Sequence, residues 1–326
     1  YSNLFLFFVK MKKPFSIVKN AYLWLILWVA GMVISWIVFI LNAQFSEEFT
    51  GGVSITFEGK VSDDAKFQED LSNYLVDKGF PKMKIWLEKS NAQVSVKLNQ
   101  RFENDEQVNQ ISQLIPLFLQ ESKYIDSTQE IIDQAIIGPS VGDYMQETAS
   151  QALGFGIIAM VIYMIFSFGT IRKQISPAIL AVVVVLTTLI SVSFPAGAYG
   201  IWMMIDARVQ IDTVFIIAIL TIIGYGINDT IIIFDRVREN MLAHKDIKGN
   251  QLLSVFDDSI WQTMKRSMGT SLSTLLVLIA MMVFWSGVLA TFAFTVGIGV
   301  VVSTLSSIFV AVPTAYLMLT LTKKGK

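Results

Sequence analysis

The stretch TVFIIAILTIIGYGINDTIIIFDRVREN (213–240) decides how the chain must be read. From Thr213 to Phe234 it is long and apolar enough for one membrane-spanning helix, which needs about 20 such residues. Its single charged side chain over that run is Asp229. A carboxylate at the centre of a lipid-facing helix costs about 2.5–3.5 kcal/mol on insertion scales. Two readings follow. In one, the helix ends early and Asp229 sits at the cytoplasmic interface. In the other, Asp229 faces neighbouring helices and can bind and release a proton.

Composition favours a protein built largely in lipid. Of 326 residues, 53% are hydrophobic. There is no cysteine, so disulfide and thiolate chemistry are excluded. The one histidine, His244, sits in a charged stretch and is expected to be solvated. A net charge of -1 argues against a general nucleic-acid partner. The chain starts at Tyr1, which suits a fragment, a processed product or half of a fusion. The apolar stretch 3–9 is too short to span and reads as an interfacial anchor or the end of a preceding segment. The run 21–41 lacks a small-residue cleavage signature and reads as a retained anchor.

Apolar runs place six spans at about 21–42, 151–169, 175–199, 211–234, 268–286 and 288–321. Basic residues gather on one side. They are Lys10, Lys12, Lys13 and Lys19 before the first span, and Arg172 and Lys173 after the second. Arg236, Arg238, Lys245, Lys248, Lys265 and Arg266 follow the fourth span, and Lys323, Lys324 and Lys326 end the chain. The loop between spans three and four has only Arg208. By the positive-inside rule both termini are cytoplasmic.

Residues 45–145 then form one external domain, flanked by a first segment 1–44 and a membrane part 146–326 with a cytoplasmic loop at about 235–267. Over 45–150 it carries 18 acidic and 9 basic residues. That excess either repels anionic headgroups or receives basic segments of a client. Strand alternation at 53–59, 82–89, 92–99 and 128–137 brackets helical spacing at 63–79 and 104–122, with a kink expected at Pro116. The order β-α-β-β-α-β is the ferredoxin-like arrangement.

Around Asp229, Thr221, Tyr225 and Asn228 cluster at helical spacing, and Gly224 and Gly226 let a neighbour approach one turn away. In the fifth span, KRSMGTSLSTLL (265–276) opens on Arg266 and continues through Thr270, Ser271, Ser273 and Thr274. The hydroxyls can bond back to their own helix. The guanidinium is alternatively a gate for Asp229, lowering the carboxylate's proton affinity as it approaches. In the sixth span, TVGIGVVVSTLSSIFVAVP (295–313) offers Gly297, Gly299, Ser303, Ser306 and Ser307 for close packing. FTGG (49–52) and IGPSVG (137–142) read as turns and, as a pair through Gly51, Gly52, Gly138, Pro139 and Gly142, as two sides of a hinge. Asp235, Arg236, Arg238 and Glu239 mark the cytoplasmic edge. The apolar face of 251–265 reads as an interfacial helix.

FTGG, IGPSVG, GYGINDTIIIFDRVREN, KRSMGTS and LSSIFVAVP occur in an order and spacing that resemble the SecF family of bacterial export subunits. The departures are Gly226 where the family usually has Ser, Ser286-Gly287 for a Gly pair, and Lys265 and Ser267 around Arg266 where Arg-Thr is typical. The resemblance implies a six-helix fold of the RND superfamily in the bacterial inner membrane. It implies pairing with SecD, separate or fused, and work beside the SecYEG channel and, indirectly, SecA. There the family uses a proton or sodium gradient to draw unfolded exported polypeptide outward. It also implies an ion relay of Asp229, Asn228 and Thr230 with Arg266 as gating partner. Gly224, Tyr225, Gly226, Thr270, Ser271, Ser306 and Ser307 would pack and gate around them.

Two other classes stand beside that expectation: an RND-type exporter of small molecules or lipids, and a passive assembly subunit whose ionisable groups hold SecD. No Walker loop, metal-ligand cluster or nucleophile–His set occurs. The chain is therefore not expected to be an enzyme or to need a cofactor beyond the coupling ion.

Overall fold

The computed structural model describes residues 15–58, 61, 63–90, 93–99, 102, 104–122, 131–169, 176–206, 209–243, 250–285 and 287–324. The apolar stretch 3–9 with Lys10, Lys12 and Lys13, and also Arg172, Lys173, Arg208, His244, Lys245, Lys248, Ser286 and Lys326, lie outside them. So do residues 128–130 of the last expected strand.

Among the described residues, six helices are long and apolar enough to cross a membrane. They are α1 (Ala21–Asn42), α5 (Pro139–Ser167), α6 (Pro177–Ile205), α7 (Thr213–Ala243), α8 (Asn250–Phe284), and α9 (Val288–Ser306) with its continuation. That last span passes through a π-helical turn, Ser307–Ala311, into α10 (Val312–Lys324). Pro313 lies at the start of α10. It has no N–H to donate and its ring crowds the preceding turn, so the wider π turn before it relieves a local conflict. Between α1 and α5 come α2 (Glu47–Thr50), β1 (Gly52–Glu58), α3 (Asp64–Asp77), β2 (Ile85–Ser90), β3 (Gln93–Asn99), α4 (Asp105–Glu121) and β4 (Ile131–Ile137).

The chain divides into two compact units. One comprises Tyr1–Leu41, Ala152–Ile201 and Ile217–Lys326; the other comprises Asn42–Gln151 and Trp202–Ile216.

In the second unit the strands form one sheet of order β2-β3-β1-β4, with every neighbouring pair antiparallel. Period-two alternation explains its core. Val53, Ile55 and Phe57 stand opposite Leu98, Val96 and Val94, and all six are buried. Phe67, Leu71 and Leu75 of α3 and Val108, Ile111 and Ile115 of α4 recur at three- and four-residue spacing and fill the same core. Side-chain caps start both helices. Lys66 N–H donates to Asp63 Oδ1 at 3.1 Å, and Gln107 N–H donates to Asn104 Oδ1 at 2.9 Å. Gly79 follows α3 at φ +94, which suits glycine. Helix α4 continues through Pro116 as a single helix.

In the first unit, α1 leaves Ile26 and Ile40 about two-thirds exposed, as a lipid-facing helix would. Small residues bring α6 against it. A Cβ on Gly197 would stand 2.7 Å from Ser35 Cβ, and one on Gly200 would stand 2.9 Å from Phe39 Cα. The stretch 251–265, expected as a separate interfacial helix, is instead the first part of α8. No Gly or Pro breaks the backbone there. Its apolar face (Leu252, Val255, Phe256, Ile260) packs into a protein core with Phe234 and Val237 of α7, not onto lipid. Likewise α5 begins at Pro139, well before the expected start near 151. Proline is well suited to a first helical position.

Candidate functional site

Asp229 is fully buried near the middle of α7. Helical spacing puts Tyr225, one turn earlier, on the same side, and both meet hydroxyls of two other helices. Thr304 Oγ1 of α9 donates to Asp229 Oδ2 at 2.9 Å. Thr304 Oγ1 also bonds the Ser271 hydroxyl of α8, and Tyr225 Oη donates to Ser271 Oγ at 3.1 Å. The four side chains make a loop that leaves α7, crosses α8 and α9, and returns to α7. Ser267 and Ser271 lie close enough to act electrostatically on the carboxyl, yet Oδ1 meets no donor in hydrogen-bond geometry among the described residues. The Ser267 and Ser303 hydroxyls are likewise buried and unpartnered.

Packing explains one glycine of the motif and not the other. A Cβ on Gly226 would stand 3.1 Å from Ser303 Oγ, whereas one on Gly224 would meet open space. Thr230 is buried and donates to Gly226 O at 3.1 Å within its own helix. Below the carboxyl, Ser306 bonds Ser191 of α6 at 2.8 Å, and Ser307 Oγ donates to Thr304 O at 2.8 Å.

The expected polar stripe divides in two. Tyr225, Asp229 and Thr230 turn inward, while Thr221, Gly224 and Asn228 are exposed. Neighbouring helical residues differ by about 100°, so Asn228 and Asp229 cannot share a direction. Arg266 and Thr270 are also exposed. Among the described residues no ion pair joins Arg266 to Asp229; Ser267 and Ser271, on the adjacent strip of α8, occupy that side instead.

The two glycine-rich junctions come together within the second unit. Gly51 has φ +75, and a Cβ there would stand 3.1 Å from Pro139 N. A Cβ on Gly142 would stand 2.8 Å from Phe49 O; on Gly52 it would strike Leu98 O, and on Gly138 the Asp105 carboxylate. At the expected cytoplasmic edge, Arg238 pairs with Asp235 at 2.9 Å and Arg236 with Glu239 at 2.6 Å. Arg236 and Asn240 both donate to Gln262 of α8.

Five residues hold places that the sequence did not disclose. Thr304 and Ser267 looked like two more small hydroxyls in a run of them. Asp257 is buried on α8, and its Oδ1 accepts from the N–H groups of Ile17 and Val18 at 3.0 and 3.1 Å, just before α1. Glu48 accepts from the N–H and hydroxyl of Thr213 at 2.9 and 2.6 Å, while Asp212 caps the same helix through Phe215 N–H at 2.8 Å. Burial pushes the Asp212 carboxyl above its ordinary value; the Phe215 bond opposes this and the Glu48 charge adds to it.

An acidic oxygen pair, hydroxyls able to donate or accept, and no cation paired with them among the described residues suit holding and releasing a proton or a small monovalent cation. The family described as "Protein export membrane protein SecD/SecF, C-terminal" matches residues 118–321. The chain is 33% identical over 289 residues to the protein translocase subunit SecF of Sebaldella termitidis, covering 86% of each chain. It is 29% identical over 280 residues to the protein translocase subunit SecDF of Thermus thermophilus, covering 84% of this chain and 34% of that one. The crystal structure of SecDF, a translocon-associated membrane protein from that Thermus species, superposes with a TM-score of 0.71 at 25% identity. The match covers 96% of this chain and 39% of that one.

Proposed function

The chain belongs to the SecF family of protein translocase subunits, and on that premise we propose that it converts an ion gradient into work on exported polypeptide. It is a multi-pass membrane protein and an accessory subunit of Sec protein translocation. In our reading it sits in the bacterial inner membrane beside SecYEG with both termini cytoplasmic, and it partners a SecD subunit. Relatives in which the two are one SecDF chain support the partnership. The β-α-β-β-α-β unit is then the external, ferredoxin-like domain, and its antiparallel order β2-β3-β1-β4 supports that assignment. The chain acts as a transport subunit, not an enzyme, and needs no cofactor beyond the coupling ion.

One observation carries the proposal: a fully buried carboxyl near the middle of α7 whose hydrogen-bond donor, among the described residues, is a side-chain hydroxyl. One proton crossing 100 mV releases about 2.3 kcal/mol. That shifts a two-state equilibrium roughly 50-fold, enough to bias a conformational cycle. The test is export into vesicles containing this chain and its SecD partner. Asp229→Asn is expected to assemble normally and to abolish the gradient-dependent part of export. A variant that lost the complex instead would favour a passive assembly role.

A further inference from the structure

Thr304 has one hydroxyl proton and more oxygens around it than that proton can serve. Asp229 Oδ2 stands at 2.9 Å, its own helix's Val300 O at 3.0 Å, and the Ser271 hydroxyl also bonds it. Ser271 faces the same choice. It can donate to Ser267 O of its own helix at 2.9 Å or to Thr304, and it accepts from Tyr225. A hydroxyl donates once and accepts twice, so the network has a small number of consistent arrangements.

When Asp229 is a carboxylate it can only accept. Thr304 must then donate to Oδ2, which leaves Ser271 to donate to Thr304, and Tyr225 to Ser271. All three protons point along one chain toward the charge, and the bond that reaches it, from Thr304 of α9 to Asp229 of α7, is charge-assisted. Such bonds are roughly twice as strong as neutral ones. When Oδ2 carries the proton it donates instead. Thr304, now accepting from Oδ2, is free to turn its own proton back to Val300 O, and Ser271 can donate either to Thr304, which keeps a second lone pair, or to Ser267 O. Bonds between the helices persist in both states, but the single proton order and its charge assistance belong to the carboxylate state alone.

We infer that Thr304 is the positioning residue that reads the charge on Asp229 and passes it to α8 and α9 by turning its hydroxyl. The inference rests on the ion-carrying reading of Asp229. Surrounding groups are consistent with a local reader. Tyr225 is the titratable side chain bonded into the loop, α9 contains no titratable residue, and Arg266 on α8 is exposed. The π-helical turn begins three residues after Thr304, and Ser307 Oγ donates to Thr304 O, so a change at Thr304 lies beside the one irregular turn of that span.

Infrared difference spectroscopy of the SecD-paired complex in lipid, recorded across pH, separates the two claims. A protonated-carboxyl stretch that disappears in Asp229→Asn identifies Asp229 as proton-holding; no such band would overturn that reading, and this inference with it. Given the band, Thr304→Val is expected to move it to higher wavenumber, through loss of its hydrogen-bond partner. Thr304→Ser should leave it in place, and Tyr225→Phe, two bonds away, should move it less. Gradient-driven export should fall about tenfold in Thr304→Val, as for one lost bond to a charged group, and recover in Thr304→Ser. A band unmoved in Thr304→Val would overturn the role of Thr304 while leaving Asp229 as the ion carrier. If Thr304→Val does not assemble, Ser271→Ala supplies the same measurement one bond further along, and an unmoved band there counts against the chain.

Discussion

Asp257 and Asp229 are both buried aspartates of the first unit, and they bond to different kinds of partner. Asp257 holds two backbone N–H groups at the start of the first span. Asp229 holds a threonine hydroxyl, and its second oxygen has no described donor. Asp212, just before α7, and Glu48 of α2 resemble Asp257 in taking backbone N–H groups, here from the first turn of α7. A carboxylate that serves backbone donors cannot reverse those bonds, because an N–H only donates. One surrounded by hydroxyls can, because each hydroxyl can turn. The contrast separates carboxyls that fix helices from the one that is free to work.

The contrast breaks first at Asp257. Asp257→Ala strands two buried amides, and unsatisfied buried groups cost about 1–3 kcal/mol each. The variant should melt several degrees lower in detergent, and Asp257→Asn, which keeps an acceptor, should lose less. An unchanged melting temperature would remove Asp257 from the structural class. Asp229→Asn, by contrast, should melt near the wild-type temperature.

A smaller effect is expected at Asp212. Losing a cap to alanine costs about 0.5–2 kcal/mol, while asparagine caps as well as aspartate. Because burial raises its carboxyl above 3.8, Asp212 binds a proton more readily in the folded state. Its favourable contribution is therefore complete below 3.8 and is lost as pH rises through the raised folded value. Asp212→Asn should match or exceed wild-type stability near neutral pH, with the wild type gaining on it as pH falls. Hydrogen exchange of the peptide covering 209–216, at matched intrinsic rates, reads this. A gap that widens in acid would reverse the assignment.

Smallest of all should be Arg238→Ala. Its pair with Asp235 is partly exposed and local to one helix, and such pairs contribute about 0.3–0.5 kcal/mol. A loss above 1 kcal/mol in thermal unfolding would show that the edge of α7 does more than its contacts suggest.

Much of this was legible in the amino-acid sequence. Apolar runs located six spans, and alternation at 53–59 and 92–99 located the central strands, because burial on one side leaves a period in the chain. Asp229 was legible because hydrocarbon leaves so few reasons for a carboxylate. Its partners were not. Which hydroxyl of 265–276 or 295–313 meets it depends on the rotation of α8 and α9 about their axes. Side chains of similar size and polarity on every face of those segments do not encode that rotation. The same ambiguity drew Asn228 and Arg266 toward the site, while the structure turns both outward and brings in Ser267 and Thr304. Asp257 was invisible for another reason: its partners are backbone amides some 240 residues away, and backbone has no sequence signature.

The most direct test of the account is export driven by an imposed ion gradient in vesicles holding matched amounts of the wild-type or Asp229→Asn chain with its SecD partner, with and without an uncoupler. The account predicts that the uncoupler lowers wild-type export to the level of Asp229→Asn and leaves the variant unchanged. Full gradient-dependent export by Asp229→Asn would contradict it.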